Sequence, residues 1–350
     1  PGGEKRPMGS RGSIEGEWKT SYWVLVALAP LAFFLLSLVV GKFPVSPWTV
    51  LEVLGSRIFD LDSAVPDTVA TVLLQVRIPR IAAAMLIGGA LSVSGASFQG
   101  LFRNPLVSPY ILGVASGAGF GASLAILMVE NAFVIQLSAF VFGALAVLIS
   151  YGMTRLYRTA STLVLVLSGI IVGTFFTALI SLVKFWADPF EKLPLIVFWL
   201  MGSLATVTAR DTLLILAPMA MGLAALFAVR WRMNVLSLGE EEARALGVET
   251  GRIRVLIVLA ATLITASAVA VSGIIGWVGL VIPHLARMVC GPDYRKLVPV
   301  SFAMGACYLV LIDDIARNLT ASEVPLGILT ATVGAPVFAY VLKKSALGWS

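Results

Sequence analysis

TLLILAPMAMGLAALFAV (212–229), then LGEEEARALGV (238–248), then RVLIVLAATLITASAVAVS (254–272) is the stretch that decides the fold. Each flanking run is close to the length an α-helix needs to cross the hydrocarbon core of a bilayer, roughly 20 residues at 1.5 Å each. The polar insert between them has its own local logic. Gly239 can release the chain from the first span, Glu240 and Glu241 occupy a first turn where the helix dipole favours negative charge, Arg244 follows Glu240 at i+4, and Gly247 stops the turn. So short a helix is unstable by itself. The insert therefore reads either as a solvated loop with one helical turn or as a docking helix held against a partner.

Outward from this stretch the composition is uniform. Of 350 residues 59% are hydrophobic and 13% charged, with a mean hydropathy of +0.96, against about 25% charged in soluble domains. An all-α polytopic membrane protein follows. Successive apolar runs give about ten transmembrane helices, at 22–40, 78–102, 109–128, 132–154, 162–186, 212–229, 254–272, 275–290, 298–316 and 326–342. The first run is too long for a signal-peptide core and no small-x-small cleavage pattern follows it, so it reads as a retained span. Residues 1–20, Gly-rich and charged, read as a disordered tail. Residues 21–344 form the membrane domain, with the insert extending over 238–254, and 345–350 a C-terminal tail. Between 186 and 211 the apolar length suffices for only half a crossing, so 193–203 is expected to be a short helix on the outer surface.

Lysine and arginine set the orientation. With the N-terminus inside, the cytoplasmic loops collect Arg103, Arg155, Arg158, Arg230, Arg232, Arg244, Arg252, Arg254, Arg287, Arg295, Lys296, Lys343 and Lys344, beside Lys5, Arg6, Arg11 and Lys19 in the tail. Both termini and the insert are then cytoplasmic. The net charge of +6 reports membrane orientation, because the cations are spread over loops and form no nucleic-acid patch. Cys290 and Cys307 suggest packing rather than a metal knuckle or a disulfide framework. The one histidine, His284, has no G-x-S-x-G or H-E-x-x-H element around it, so neither a catalytic residue nor a metal site is expected. No G-x-x-x-x-G-K-[ST] phosphate loop occurs either, so any ATP is hydrolysed by another chain.

Gly113, Gly117 and Gly121, spaced by four, let membrane helices approach closely, and Gly88, Gly89, Gly95 and Gly100 on the second span read the same way. Arg77 and Arg80 flank Pro79 at the outer entrance of the second span, and Arg317 ends the ninth on the same side. Interfacial snorkelling explains such arginines, and so does docking of an acidic partner. Asp313 and Asp314 lie within a turn of Arg317. They are either a local ion pair or intramembrane carboxylates on an ion path, the second option making the chain a proton- or sodium-coupled secondary transporter.

RIPR (77–80), GALSVSGASFQGLFRNPLVSPYILGVASGAGFGA (89–122), LGEEEARALGV (238–248), GIIGWVGLVIPHLARMVCGPDYRKLVP (273–299) and DDIARNLTASEVPLGILTATVGAPVFAYVL (313–342) stand in the order seen in the FecCD family, and the chain resembles it from about 22 to 344. These are permease subunits of type II ABC importers for iron–siderophore complexes, haem and cobalamin. The resemblance implies an inner-membrane permease with several partners: a second permease subunit, preferably an identical copy, two cytoplasmic ATPase subunits that bind ATP and Mg, and an extracytoplasmic substrate-binding protein. It implies ATPase coupling for Gly239, Glu240, Glu241, Glu242, Arg244 and Gly247, with 249–254 continuing the coupling helices. It also implies binding-protein docking for Arg77, Arg80 and Arg317, and a cytoplasmic gate at Ser161 and Thr162, where a helix N-cap is the alternative. Only Asp313 fits the family's D-x-x-x-R spacing, and Asp314 departs from it. The substrate is expected to be a bulky metal chelate passed by a smooth, weakly binding cavity, with ferric siderophore, haem and cobalamin all open.

Overall fold

Inside hydrocarbon each backbone N–H and C=O must find a partner within the protein, and among the described residues this chain meets the requirement with helices alone. The computed structural model describes residues 20–59, 65–156 and 162–346. Its helices are α1 (Thr20–Val39), α2 (Pro47–Phe59), α3 (Asp67–Leu101), α4 (Val114–Met128), α5 (Ala132–Leu156), α6 (Thr162–Trp186), α7 (Lys192–Met201), α8 (Ala209–Leu238), α9 (Glu240–Ala245), α10 (Thr250–Ser272), α11 (Val278–Cys290), α12 (Tyr294–Asn318) and α13 (Leu326–Ala346). Seven of these are long and apolar enough to cross a membrane: α1, α3, α5, α6, α8, α10 and α12. The shorter apolar helices α4, α11 and α13 account for the other three expected spans, and α7 is the expected short helix.

Several boundaries differ from the sequence reading. Helix α3 starts at Asp67 rather than 78, because a π-helical stretch, Val72–Arg77, carries the helix back through polar residues. Helices α4 and α11 start at Val114 and Val278 rather than 109 and 275, since the segments before them are non-helical although they lie among buried residues. Helix α8 runs for 30 residues, about 45 Å at 1.5 Å per residue, and so extends past the membrane thickness.

Helix α3 is the core. Nearly every residue from Pro79 to Leu101 is buried, and glycines allow the close approach. A Cβ on Gly88 would overlap the Gly305 carbonyl of α12, and one on Gly95 would overlap the Gly279 carbonyl of α11. On α4, Gly117 and Gly121 sit against the carbonyls of Phe142 and Ser138 of α5, as their spacing predicts. Gly113 plays another part: at φ 83° it is the left-handed residue that opens α4.

Side-chain contacts define two ends of the bundle. At one, Ser37 near the end of α1 bonds Asp314 near the end of α12, and Thr212 at the start of α8 bonds the Pro79 carbonyl of α3. This far end holds the three expected docking arginines. At the other, Asn234 near the end of α8 bonds Asp293 at the start of α12, and Arg287 of α11 bonds Gln99 of α3. This near end carries α9.

Packing of this kind predicts a sharp contrast between two glycines. Gly95→Ala should destabilise the purified protein by about 1–3 kcal/mol or block folding, as overpacking does. Gly152→Ala, where nothing lies within 4 Å of a new Cβ, should leave stability within about 1 kcal/mol. Thermal unfolding in lipid nanodiscs measures both.

Candidate functional site

At the near end the polar insert is a built structure. Arg230, Trp231 and Arg232 form a basic and aromatic belt on α8, and the last turns of that helix continue beyond it. Asn234 fixes this extension with both ends of its amide: Nδ2 donates to Asp293 Oδ1 at 2.6 Å, and Oδ1 accepts from the Tyr294 N–H at 2.8 Å. Gly239, at φ 149°, then turns the chain into α9, and a side chain there would overlap the Glu242 carboxylate. At the other end Gly247 adopts φ 77°. Its N–H donates to the Arg244 carbonyl and that of Val248 to the Ala243 carbonyl, each at 2.9 Å, a Schellman closure. Ala243 and Val248 are buried and seat the helix. Glu241, Glu242, Arg244 and Leu246 face outward, Leu246 being 61% and neighbouring Leu238 62% exposed. The result is a rigid knob of carboxylates and leucines. Arg244 Nε reaches Thr250 Oγ1 at 3.3 Å. Residues 250–254 form no second coupling helix, because Thr250 already opens the membrane helix α10.

At the far end the structure corrects the exposure expected for the three arginines: Arg77, Arg80 and Arg317 are 4%, 5% and 7% exposed. Arg80 is held between two carboxylates. Its Nε and Nη2 donate to Asp313 at 2.9–3.1 Å, and Nη1 and Nη2 donate to Glu323 at 3.0 and 2.7 Å. Arg317 Nε lies 3.2 Å from Asp313 Oδ2, off the hydrogen-bonding direction, so that contact is coulombic. Arg317 Nη2 bonds Asp314 and, at 2.9 Å, Ser37 Oγ. Arg77 turns the other way and donates to the carbonyls of Leu38 and Phe43. The local pair expected between Arg317 and the two aspartates is thus present, and Asp314, unassigned by sequence, bridges Arg317 to Ser37 of α1 at 2.6 Å. Burial raises the proton affinity of Glu323, but the bonds from Arg80 and the charges of Arg80, Lys42 and Arg317 outweigh it and hold the carboxyl below its ordinary value.

Between the ends, sequence reasoning missed a groove of about 370 Å³ where α4 meets α6, lined by Tyr110, Gly113, Ser116, Gly169, Thr174 and Thr177 among others. It opens beside the two non-helical segments, which Tyr110 joins by donating to the Ile275 carbonyl at 2.6 Å. Irregular backbone at membrane depth survives where protein or a cavity surrounds it. The hydroxyls of Thr174 and Thr177 donate to Ile170 and Gly173 of their own helix, each at 2.8 Å. From these two residues the groove receives lone pairs and methyl groups, beside the Ser116 hydroxyl. Glycine and threonine at 169, 173, 174 and 177 in an otherwise apolar span were the signal for it. Of the expected gate, Thr162 opens α6 and Ser161 lies outside the described residues. His284 packs edge-on to Phe338, with centroids 6.0 Å apart.

A multi-pass helical bundle with broken helices, glycine-mediated packing and a protruding acidic knob defines a membrane permease of the ABC importer class. The FecCD transport family matches residues 28–344, and the chain belongs to it. It is 40% identical over 313 residues to the molybdate import system permease protein MolB of Haemophilus influenzae, covering 89% of this chain and 92% of that one. It is 38% identical to the cobalamin import system permease protein BtuC of Halobacterium salinarum, covering 85% and 79%. A solved structure reported as a metal-chelate type ABC transporter in an inward-facing conformation superposes with a TM-score of 0.84 at 38% identity, over 93% of this chain and all of that one.

The far-end cluster predicts unequal costs. Asp313→Asn leaves two buried guanidiniums short of charge and should cost about 3–5 kcal/mol, whereas Glu323→Gln, at a partly exposed edge, should cost about 1 kcal/mol or less. The second difference is pH-dependent. A carboxyl with a depressed folded pKa contributes fully above its unfolded value of about 4.3 and loses that contribution as pH falls through the depressed one. The Tm gap between wild type and Glu323→Gln should therefore be constant near neutrality and shrink only in acid.

Proposed function

We propose that this chain is the membrane-spanning subunit of an ATP-driven importer that moves a bulky metal chelate into the cytoplasm. The observation that carries the reading is α9: a FecCD-family permease without a phosphate loop presents an exposed, acidic helix directly after the end of α8 that Asn234 bonds to α12. A stiff element transmits a push that a loose loop absorbs. ATP and Mg would be bound by a separate ATPase subunit that receives Glu240, Glu241, Glu242 and Arg244, with Gly239 and Gly247 setting the angle of the knob. The basic belt supports a cytoplasmic near end. A second permease subunit, in the simplest case an identical copy, would face the α4–α6 groove and complete the path, with Ser161 and Thr162 at its cytoplasmic gate. Docking of a binding protein at the far end would rest on the surface that Arg77, Arg80 and Arg317 hold in shape, since their guanidiniums are engaged internally. Proton or sodium coupling is disfavoured because Asp313 and Asp314 are committed to arginines. A groove offering hydroxyl oxygens but few hydroxyl protons suits a large, weakly held chelate. The similarity to MolB favours an oxyanion, molybdate, as the second reading of the substrate.

Uptake into proteoliposomes tests this directly. Transport should require the ATPase subunit with Mg and ATP, and an ion gradient alone should drive none. Radiolabelled ferric chelate, cobalamin and molybdate, offered separately with their binding proteins, decide the substrate, and uptake of molybdate alone would remove the chelate reading. Reversing Glu241 and Arg244 together should abolish ATPase copurification or reduce uptake at least about tenfold, the equivalent of roughly 1.4 kcal/mol of coupling.

A further inference from the structure

Helix α2 lies outside the translocation machinery and has a surface that machinery does not explain. At about 100° per residue its side chains fall into three sectors. Val50 and Val53, 4% and 2% exposed, turn toward the bundle. Thr49, Glu52 and Ser56 make a polar sector. Trp48, Leu51, Ile58 and Phe59 make a third, apolar stripe, passing through Gly55, and are 57–78% exposed. A helix on a soluble surface has two sides, one for the core and one for water. Three sectors require a third, apolar environment.

Two further observations identify that environment. First, Leu35, Leu36, Val40 and Phe43, on the way from α1 into α2, are exposed and apolar, with Lys42 and Ser46 the exposed polar residues beside them, so an apolar flank of α1 continues along the chain to Trp48. Aromatic residues stand at both ends of the stripe, the placement favoured at a membrane–water boundary. Second, the approach to α2 is clamped. Arg77 donates to the carbonyls of Leu38 and Phe43, Lys42 Nζ donates to the Ala321 carbonyl at 2.6 Å, and Gly41 lacks the Cβ that would press on the Arg77 guanidinium. These bonds fix the direction in which the helix leaves α1.

We infer that α2 is an interfacial helix that lies along the membrane surface at the far end of the bundle. Its Trp48–Leu51–Ile58–Phe59 stripe enters the boundary between headgroups and acyl chains, and Glu52 and Ser56 remain in water. The helix carries one acidic and one basic residue, Glu52 and Arg57, and no basic cluster. It therefore recognises the apolar depth of the bilayer and does not select anionic lipid.

The test uses the full chain with Cys290 and Cys307 replaced and single cysteines at Trp48, Leu51, Ile58 or Glu52, each carrying an environment-sensitive fluorophore, in nanodiscs of phosphatidylcholine with and without phosphatidylglycerol. Folding of every variant is checked by its unfolding transition. Labels at 48, 51 and 58 should be quenched several-fold more than the label at 52 by nitroxides placed just below the headgroups, and several-fold less by aqueous iodide. The pattern should be the same in both lipids. Equal iodide access at all four positions would overturn the inference. So would protection that appears only with a binding protein, or cross-linking of the Trp48→Cys variant to a second copy, since either makes the stripe a protein-docking face.

Discussion

Arg80, buried between Asp313 and Glu323, is the interaction on which the far end depends. An isolated guanidinium in a low-dielectric site is costly, and a second carboxylate on the same group is stable only if other cations balance it. Arg317 supplies that balance by sitting on Asp313 as well as Asp314, so two arginines and three carboxylates share one cluster, with Arg77 nearby on backbone carbonyls. Arg317 pairs with the two aspartates of its own helix, whereas Arg80 with Asp313 and Glu323, Asp314 with Ser37, and Arg77 with Leu38 and Phe43 join separate stretches of chain. The cluster therefore fixes α1, α3, α12 and the connection before α13 with respect to one another, a constraint that lipid-facing apolar packing could not provide with the same directionality.

From this fixed end two helices run the length of the bundle. Helix α3 and helix α12 are in contact along Gly88 and Gly305, where backbone meets backbone and no side chain can yield. At the opposite end α12 begins with Asp293 and Tyr294, both bonded to Asn234 on the extension of α8 that leads to α9. Helix α9 thus follows directly on a segment of α8 that two short bonds to one amide hold to the head of α12. The α4–α6 groove lies outside this rigid axis. Its walls are the non-helical approach to α4 and the exposed face of α6.

Hydropathy and spacing disclosed the spans, the short α7 and the closed ends of α9, because each rests on a local rule: apolar length, a left-handed glycine, a capped turn. Where long-range contacts decide, the sequence was silent. Arg77 and Arg80 stand near a helix entrance and look solvated, yet their carboxylate and carbonyl partners lie 34 to 243 positions away. Asp314 departed from the expected spacing and acquired meaning only once Ser37 of α1 was placed beside it. The start of α3 was missed for a different reason. Its π-helical turn over Val72–Arg77 passes through Gln75 and Arg77, and polar residues lower the hydropathy of a segment whether or not the helix continues. The groove escaped notice because threonine on an apolar helix is ordinary; only its neighbours show that the face is open.

Those threonines also set the chemistry of the groove. A hydroxyl whose proton is engaged by its own helix can accept but not donate, so Thr174 and Thr177 offer the groove lone pairs and methyl groups. The buried cluster at the far end has its arginines already engaged by carboxylates and backbone carbonyls, so it presents a shape rather than free cations. Loosening any one of its bonds alters the geometry of that end without changing a residue on the surface.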